Sequence, residues 1–247
     1  MIPYLFQIGP LKFGSYGLMV AIAFLLSLGL LRKEFTRLGL DVKLAERIIL
    51  GAAFGGIAGA KLYFLIQHWR LVVHDRLGMI LTGEGLVWYG GFIGGALAVL
   101  WIIKKAVVPL VLLMDALAPL LALGYAIGRI GCQLAGDGDY GVPSNLPWAM
   151  SYPNGLVPTT ERVHPAPVYE MVASFTIFLV LWRLRKKGKP AGYLFSLYLV
   201  LAGVERLLIE FIRLNHQVLF GLTEAQLISI VMIVGGSLWL ARLRFGK

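Results

Sequence analysis

PLVLLMDALAPLLALGYAIGRIGC, residues 109–132, is the stretch on which the reading of this chain turns. From Pro109 to Ile127 its only charge is Asp115, and it closes on Gly128-Arg129-Ile130-Gly131. About 20 apolar residues are what a helix needs to cross a bilayer. A guanidinium in or beside hydrocarbon costs about 3 kcal/mol even on forgiving scales and does not escape by losing its proton. Such a residue pairs, lines a watery cavity or holds an anion. Arg206 and Arg213 pose the same problem inside and at the end of a second apolar segment, Gly192 to Ile212. Three such arginines with carboxylates between them suggest a membrane protein that grips a phosphate.

The rest of the chain agrees. Mean hydropathy is +0.78, and charged residues make up 15% of the 247, where a soluble domain carries about a quarter. The net charge of +10 sits in short runs between apolar segments. No basic stripe with interleaved aromatics exists, which argues against nucleic acid. The single cysteine excludes an internal disulfide and any multi-cysteine metal site. His68, His74, His164 and His216 are scattered without metal-ligand spacing. Neither a metal nor a cofactor is expected.

Seven segments are long and apolar enough to span: about 13–31, 47–66, 85–103, 109–132, 166–182, 190–212 and 224–241. Arg32, Lys33, Arg37, Lys43 and Arg47 follow or flank the first turn. Lys104 and Lys105 follow the third segment, Arg183 to Lys189 the fifth, and Arg242, Arg244 and Lys247 the seventh. The positive-inside rule then sets the N-terminus outside and the C-terminus in the cytoplasm. The first segment lacks a basic leading region and a cleavage site, so it reads as a span rather than a signal peptide. The predicted fold is all-α: a polytopic membrane protein with seven transmembrane helices. Residues 1–247 form a single integral membrane domain with external loops at about 67–84 and 133–165. The second loop carries Tyr140, Trp148 and Tyr152, which suit a layer resting on lipid headgroups. Gly51, Gly55, Gly56 and Gly59 on the second segment and Gly90, Gly91, Gly94 and Gly95 on the third read as close helix packing.

Arg206, Glu210 and Arg213, offset by four and then three, share one helical face that alternates plus, minus, plus. On sequence alone that ladder has one positive charge too many, and Arg129 makes the excess two. An anionic ligand held by bidentate arginine contacts would neutralise it.

Further motifs fall in order along the chain. Ser15-Tyr16-Gly17-Leu18-Met19 lies on the first segment, Gly59-Ala60-Lys61-Leu62-Tyr63 on the second and Trp88-Tyr89-Gly90-Gly91 on the third. Gly128-Arg129-Ile130-Gly131 ends the fourth, His164-Pro165-Ala166-Pro167-Val168-Tyr169-Glu170 opens the fifth, and Arg206-x-x-x-Glu210-x-x-Arg213 lies on the sixth. Together they resemble the prolipoprotein diacylglyceryl transferases of bacteria over nearly the whole chain. The resemblance implies a multi-pass enzyme of the inner (cytoplasmic) membrane, with its site towards the external leaflet. Such an enzyme moves a diacylglyceryl group from phosphatidylglycerol to the lipobox cysteine thiol of a preprolipoprotein signal peptide. It forms a thioether and releases glycerol phosphate, the first step of lipoprotein maturation.

Carried onto this chain, the resemblance implies Arg129, Arg206 and Tyr89 as catalytic residues. It implies Tyr16, Lys61, Asp137, Gly141, His164, Glu170, Glu210 and Arg213 as substrate-binding residues, with phosphatidylglycerol, the signal peptide and the bilayer as partners. Tyr89 stands where the family usually has histidine, Lys61 where it has arginine, and Cys132 where it has asparagine. Gly136-Asp137-Gly138-Asp139-Tyr140-Gly141 replaces a shorter Gly-Glu-x-x-Gly stretch, with Asp137 standing in for the glutamate. A phenol titrates near 10 and is a worse base than imidazole. The alternative reading is a phospholipid-binding membrane protein on the same scaffold without this transferase chemistry. For the rest, plainer readings apply: Cys132 as a packing residue, Asp137 and Asp139 as an Asp-Gly turn salt-bridged to an arginine rather than a calcium loop, His164 as an organiser of the loop-to-helix junction, and Asp115 as a cap or structural pair.

Overall fold

The computed structural model describes residues 1–9, 11–69 and 87–245. Seven helices run through the described residues: α1 Ser15–Leu38, α2 Val42–Gln67, α3 Trp88–Lys104, α4 Leu110–Ala135, α5 Ala166–Leu184, α6 Tyr193–Glu210 and α7 Glu224–Phe245. Five of them, α1, α2, α4, α5 and α7, are long and apolar enough to cross a membrane. The apolar stretch Tyr89–Lys104 of α3 is shorter, and α6 carries Glu205, Arg206 and Glu210 within its 18 residues. Large apolar side chains stand bare on several helices, among them Phe54, Leu97 and Val231, as lipid-facing surface requires.

The chain is mostly helical, but not all-α. Among the described residues, three two-stranded sheets accompany the helices: β1 (Tyr4–Ile8) with β2 (Leu11–Gly14), β3 (Met150–Tyr152) with β4 (Thr159–Val163), and β5 (Gln217–Leu219) with β6 (Leu222–Thr223). The last two pairs are antiparallel. All three lie between or before helices, where a search for 20-residue apolar runs does not look. The expected loop at 67–84 lies, from Arg70 on, outside the described residues, as do His74 and Arg76.

Two compact units emerge: Met1–Ile8, Lys12–Ser27 and Val111–Lys247 make one, and Gly9–Leu11 with Leu28–Leu110 the other. In the second unit, α2 packs against α3 through glycines. A Cβ at Gly59 would strike the Gly90 carbonyl, one at Gly90 the Gly59 carbonyl, and one at Gly55 the Gly94 carbonyl. Small residues let the two backbones approach closely, which is how helices associate where water gives no hydrophobic drive. Helices α1 and α2 outrun their apolar cores. Charged residues propagate a helix well, so α1 continues through Arg32 and Arg37 until Gly39, at φ +69°, ends it. Asp41 then caps α2 by accepting the Lys43 amide at 2.9 Å.

In the first unit, α6 and α7 meet at Gly203 and Gly236. An added Cβ there would lie 2.9 Å from the Ser229 carbonyl oxygen and 2.7 Å from that of Ser196, respectively. Asp115 of α4 accepts the Gly192 and Phe195 amides, each at 2.8 Å, and so caps the start of α6. Residues 136–165 fold back on themselves. Arg162 donates to the carbonyls of Leu146, Pro147 and Ala149 at 3.1–3.3 Å. Tyr152 is 1% exposed, stacks on Tyr140 and donates to Gln133 at 2.9 Å. It is the loop's own core, not the headgroup anchor expected from composition. Trp148 stays exposed while its indole donates to the Tyr169 hydroxyl at 2.7 Å.

Candidate active site

Glu170, on the first turns of α5, is the hub. Its side chain is 0% exposed. Oε1 accepts the Tyr125 hydroxyl and Nη1 of Arg206, both at 2.7 Å. Oε2 receives Nε of Arg129 at 3.1 Å and Nη1 of Arg213 at 3.4 Å. One carboxylate thus touches all three guanidiniums, drawing together α4, α6 and the residues just after α6. Tyr125, one helical turn before Arg129, also accepts Nη2 of that arginine at 2.8 Å.

Arg206 reaches one turn along its own helix to Glu210 at 2.9 Å. Glu210 is held in turn by Asn215 and by the Thr223 hydroxyl, each at 2.7 Å. From the loop after α4, Asp139 gives one oxygen to Arg129 and the other to Arg213. An antiparallel bridge between Gly141 and Arg213 brings this loop alongside. At Gly141 a Cβ would lie 2.5 Å from the Ile212 carbonyl oxygen and 3.0 Å from His164 Cβ, so only glycine allows the approach. A cleft of about 230 Å³ abuts the cluster, lined among others by Glu210, Arg213, Asn215 and Gln226.

The sequence-level charge count is therefore incomplete. Three guanidiniums contact three carboxylates, Glu170, Glu210 and Asp139, so no positive excess stands in the folded cluster. Two of those carboxylates come from other elements, which the ladder on α6 could not reveal. Side-chain exposure is 14% for Arg129, 23% for Arg206 and 9% for Arg213. Asp139, at 29%, is the most open acid of the three. Burial alone would raise its carboxyl, but Arg129 and Arg213 outweigh burial and hold it below the usual carboxylate range. Burial pushes the neighbouring Asp137 upward, and the charge of Asp139 adds to that.

Of the residues singled out from sequence, Arg129, Arg206, Arg213, Glu170 and Glu210 converge in this network. Asp137 does not reach the arginines; its carboxylate accepts the Asp139 amide at 3.3 Å, and Asp139 is the acid that pairs with them. Gly141 flanks the cluster. The His164 imidazole Nδ1 lies 3.2 Å from the Tyr169 hydroxyl, and its backbone pairs with Gly141 and Val142, which organises the junction into α5. Tyr16 packs on Gly131, where a Cβ would lie 2.9 Å from its ring. Cys132 is buried, and Nη1 of Arg129 lies 3.7 Å from its sulfur.

Tyr89 and Lys61 belong to the other unit. Tyr89 is half-exposed on α3, and the Lys61 ammonium lies 5.3 Å from the Phe64 ring centre. Among the described residues, Cys132, Asp137 and Asp139 hold possible ligand atoms within 4.8 Å of one another. With Asp139 taken by two guanidiniums and Arg129 against Cys132, that position disfavours a cation.

Two members of the site, Tyr125 and Glu205, escaped the sequence reading. Tyr125 shares a helical face with Arg129 at four residues' spacing, a signal that was present. Asp139, read from sequence as part of a turn salt-bridged to an arginine, pairs with two of them. Glu205 precedes Arg206, is 8% exposed, and leaves Oε1 without a hydrogen-bond partner among the described residues.

Residues 3–242 match the family described as prolipoprotein diacylglyceryl transferase. The chain is 34% identical over 239 residues to a phosphatidylglycerol–prolipoprotein diacylglyceryl transferase of Clostridium tetani, covering 96% of this chain and 95% of that one. A protein of the same name from Trichormus variabilis is 32% identical over 256 residues, 99% of this chain and 90% of the relative. Another, from Leptospira interrogans, is 27% identical over 286 aligned positions, 94% and 90% of the two chains. The chain belongs to the prolipoprotein diacylglyceryl transferase family.

Proposed function

We infer that the chain transfers a diacylglyceryl group from phosphatidylglycerol to a prolipoprotein. The observation that carries this reading, beside family membership, is the cluster of three guanidiniums organised on one buried carboxylate. The leaving group is a phosphate ester, and fixed cationic donors aimed at a developing negative charge are the strongest single means of stabilising it. Holding Arg129, Arg206 and Arg213 on Glu170 and Glu210 aligns them before substrate arrives.

The chemistry follows from the bonds exchanged. The acceptor is the thiol of the lipobox cysteine in the signal peptide. Its sulfur attacks the glyceryl carbon bearing the phosphoryl oxygen. A carbon–sulfur bond forms and the carbon–oxygen bond breaks. The electron pair leaves on glycerol phosphate, and the thiol proton passes to a base. Arg129 and Arg206 act on the leaving phosphate, and Arg213 binds it with them. Tyr89, in the histidine position of the family, polarises the thiol. Glu170 and Glu210 act through the arginines. Tyr16, Lys61, Gly141 and His164 line or shape the substrate path. The chain forms one integral membrane domain of seven spans in the bacterial inner membrane, with its N-terminus outside, its C-terminus in the cytoplasm and its site towards the external leaflet.

The test uses purified protein with phosphatidylglycerol and a cysteine-bearing signal peptide. A thioether-linked product with one equivalent of glycerol phosphate is expected. Lipid binding without product would instead support the non-catalytic alternative, which no observation favours.

A further inference from the structure

An anion-binding site of net zero charge poses a problem, and Asp139 resolves it. We propose that the Asp139 carboxylate occupies the place of the substrate's phosphate on Arg129 and Arg213, and is displaced when phosphatidylglycerol binds and returns when glycerol phosphate leaves. The inference rests on the reading above that these arginines bind the phosphate, and it names the group that regulates that binding.

Four observations carry it. Asp139 spans two arginines with one oxygen each, the two-oxygen geometry by which a phosphate would bridge the same pair. Glu170 and Glu210 are 0% exposed on helices, whereas Asp139 is 29% exposed on a loop, so it is the acid of the three able to move without moving a helix. Gly136 and Gly138, at φ +61° and +93°, stand on either side of Asp137 and make the turn that delivers Asp139 to the arginines, so a loop rather than a helix carries this acid. The contacts also balance. Without Asp139, the three guanidiniums are in direct contact with two carboxylates, Glu170 and Glu210, and one contact position is left for the phosphodiester.

Exchange of one anion for another keeps the buried guanidiniums compensated in charge beyond what Glu170 alone supplies. It also gives the reaction a way out. Glycerol phosphate carries more negative charge than the diester and would be held more tightly by an open arginine pair. A carboxylate tethered beside that pair competes with the product at high effective concentration.

The sign of one measurement decides it. Inhibition of the purified enzyme by sn-glycerol 1-phosphate should strengthen at least tenfold in Asp139→Ala and by a smaller factor in Asp139→Asn, with steady-state turnover limited by product release. Weakened or unchanged inhibition in Asp139→Asn, which keeps the loop's shape and a hydrogen-bonding amide, would overturn the proposal even if Asp139→Ala failed to fold. Arg129→Ala, read by direct binding of sn-glycerol 1-phosphate to the purified protein, separates the two readings. If it abolishes binding while both Asp139 variants also bind more weakly, phosphate sits on the arginines and Asp139 merely supports them. If it leaves binding intact, phosphate does not sit there, and both readings fall.

Discussion

Arg129 and Arg206 differ from surface arginines in being mostly buried and held by carboxylates. On the proposed function, replacing either by alanine removes a donor from the phosphate, and in the structure it leaves part of Glu170 without its counter-charge. Arg129→Ala and Arg206→Ala should each lower transfer more than a hundredfold, about 3 kcal/mol in barrier, with the protein still recovered in membranes. Lysine should rescue poorly, because a point charge cannot hold two partners through a planar fork. Near-normal activity in either alanine variant would remove that arginine from the chemistry. Tyr89 is tested by subtraction: Tyr89→Phe removes only the hydroxyl, and a strong loss of activity is expected. Tyr89→His should retain substantial activity with a pH profile moved to lower pH, since imidazole has the lower pKa; full activity in Tyr89→Phe would reduce the residue to packing. At this scale the sequence was legible where residue type and cost coincide. An arginine in an apolar run announces itself. An aspartate in a polar loop does not: the sequence offers Asp137 and Asp139 side by side, and only the folded loop shows Asp139 to be the one paired with Arg129 and Arg213.

Among the elements, helices were read well and their ends badly, for a physical reason. Apolar runs mark what must be buried or lipid-facing, but helices stop at caps, and α1 runs on through Arg32 and Arg37 to Gly39. The small sheets had no comparable signal, since strands of two to five residues leave little periodicity. The glycine rows were legible because α2 and α3 each repeat small residues at four-residue spacing, and the backbones do meet there. Gly59→Leu or Gly94→Leu should therefore separate the pair and lower the thermal stability of the detergent-solubilised protein, with leucine at the non-contacting Gly29 harmless by comparison. Equal effects at all three positions would refute the contact as the cause. The orientation of the elements rests on charge: reporter fusions after Arg37, Lys105 and Lys189 should all read cytoplasmic, and an external reading at two of them would sink the seven-span topology.

Over the whole molecule, the composition that makes this a membrane protein also dictates how its chemistry is housed. Charged residues are scarce, and those of the Glu170 network tie four elements of one unit to one another: α4 through Tyr125 and Arg129, α5 through Glu170, α6 through Arg206, and the loop through Asp139. A carboxylate at 0% exposure with both oxygens engaged is expensive to bury and more expensive to remove. The consequence is an asymmetry between function and stability. Arg129→Ala deletes one spoke, and Glu170 keeps Arg206, Arg213 and Tyr125. Glu170→Ala deletes the hub and leaves three guanidiniums and a phenol without their common acceptor. Breaking a buried charge pair from one side costs about 3–5 kcal/mol, so Glu170→Ala should unfold well below both wild type and Arg129→Ala in detergent, while Arg129→Ala loses activity with a smaller loss of stability. Glu170→Gln, which keeps shape and two hydrogen-bonding atoms but no charge, should fall between them. If Glu170→Ala were as stable as Arg129→Ala, the carboxylate would not be what organises the arginines. Their alignment would then have to come from helix packing alone.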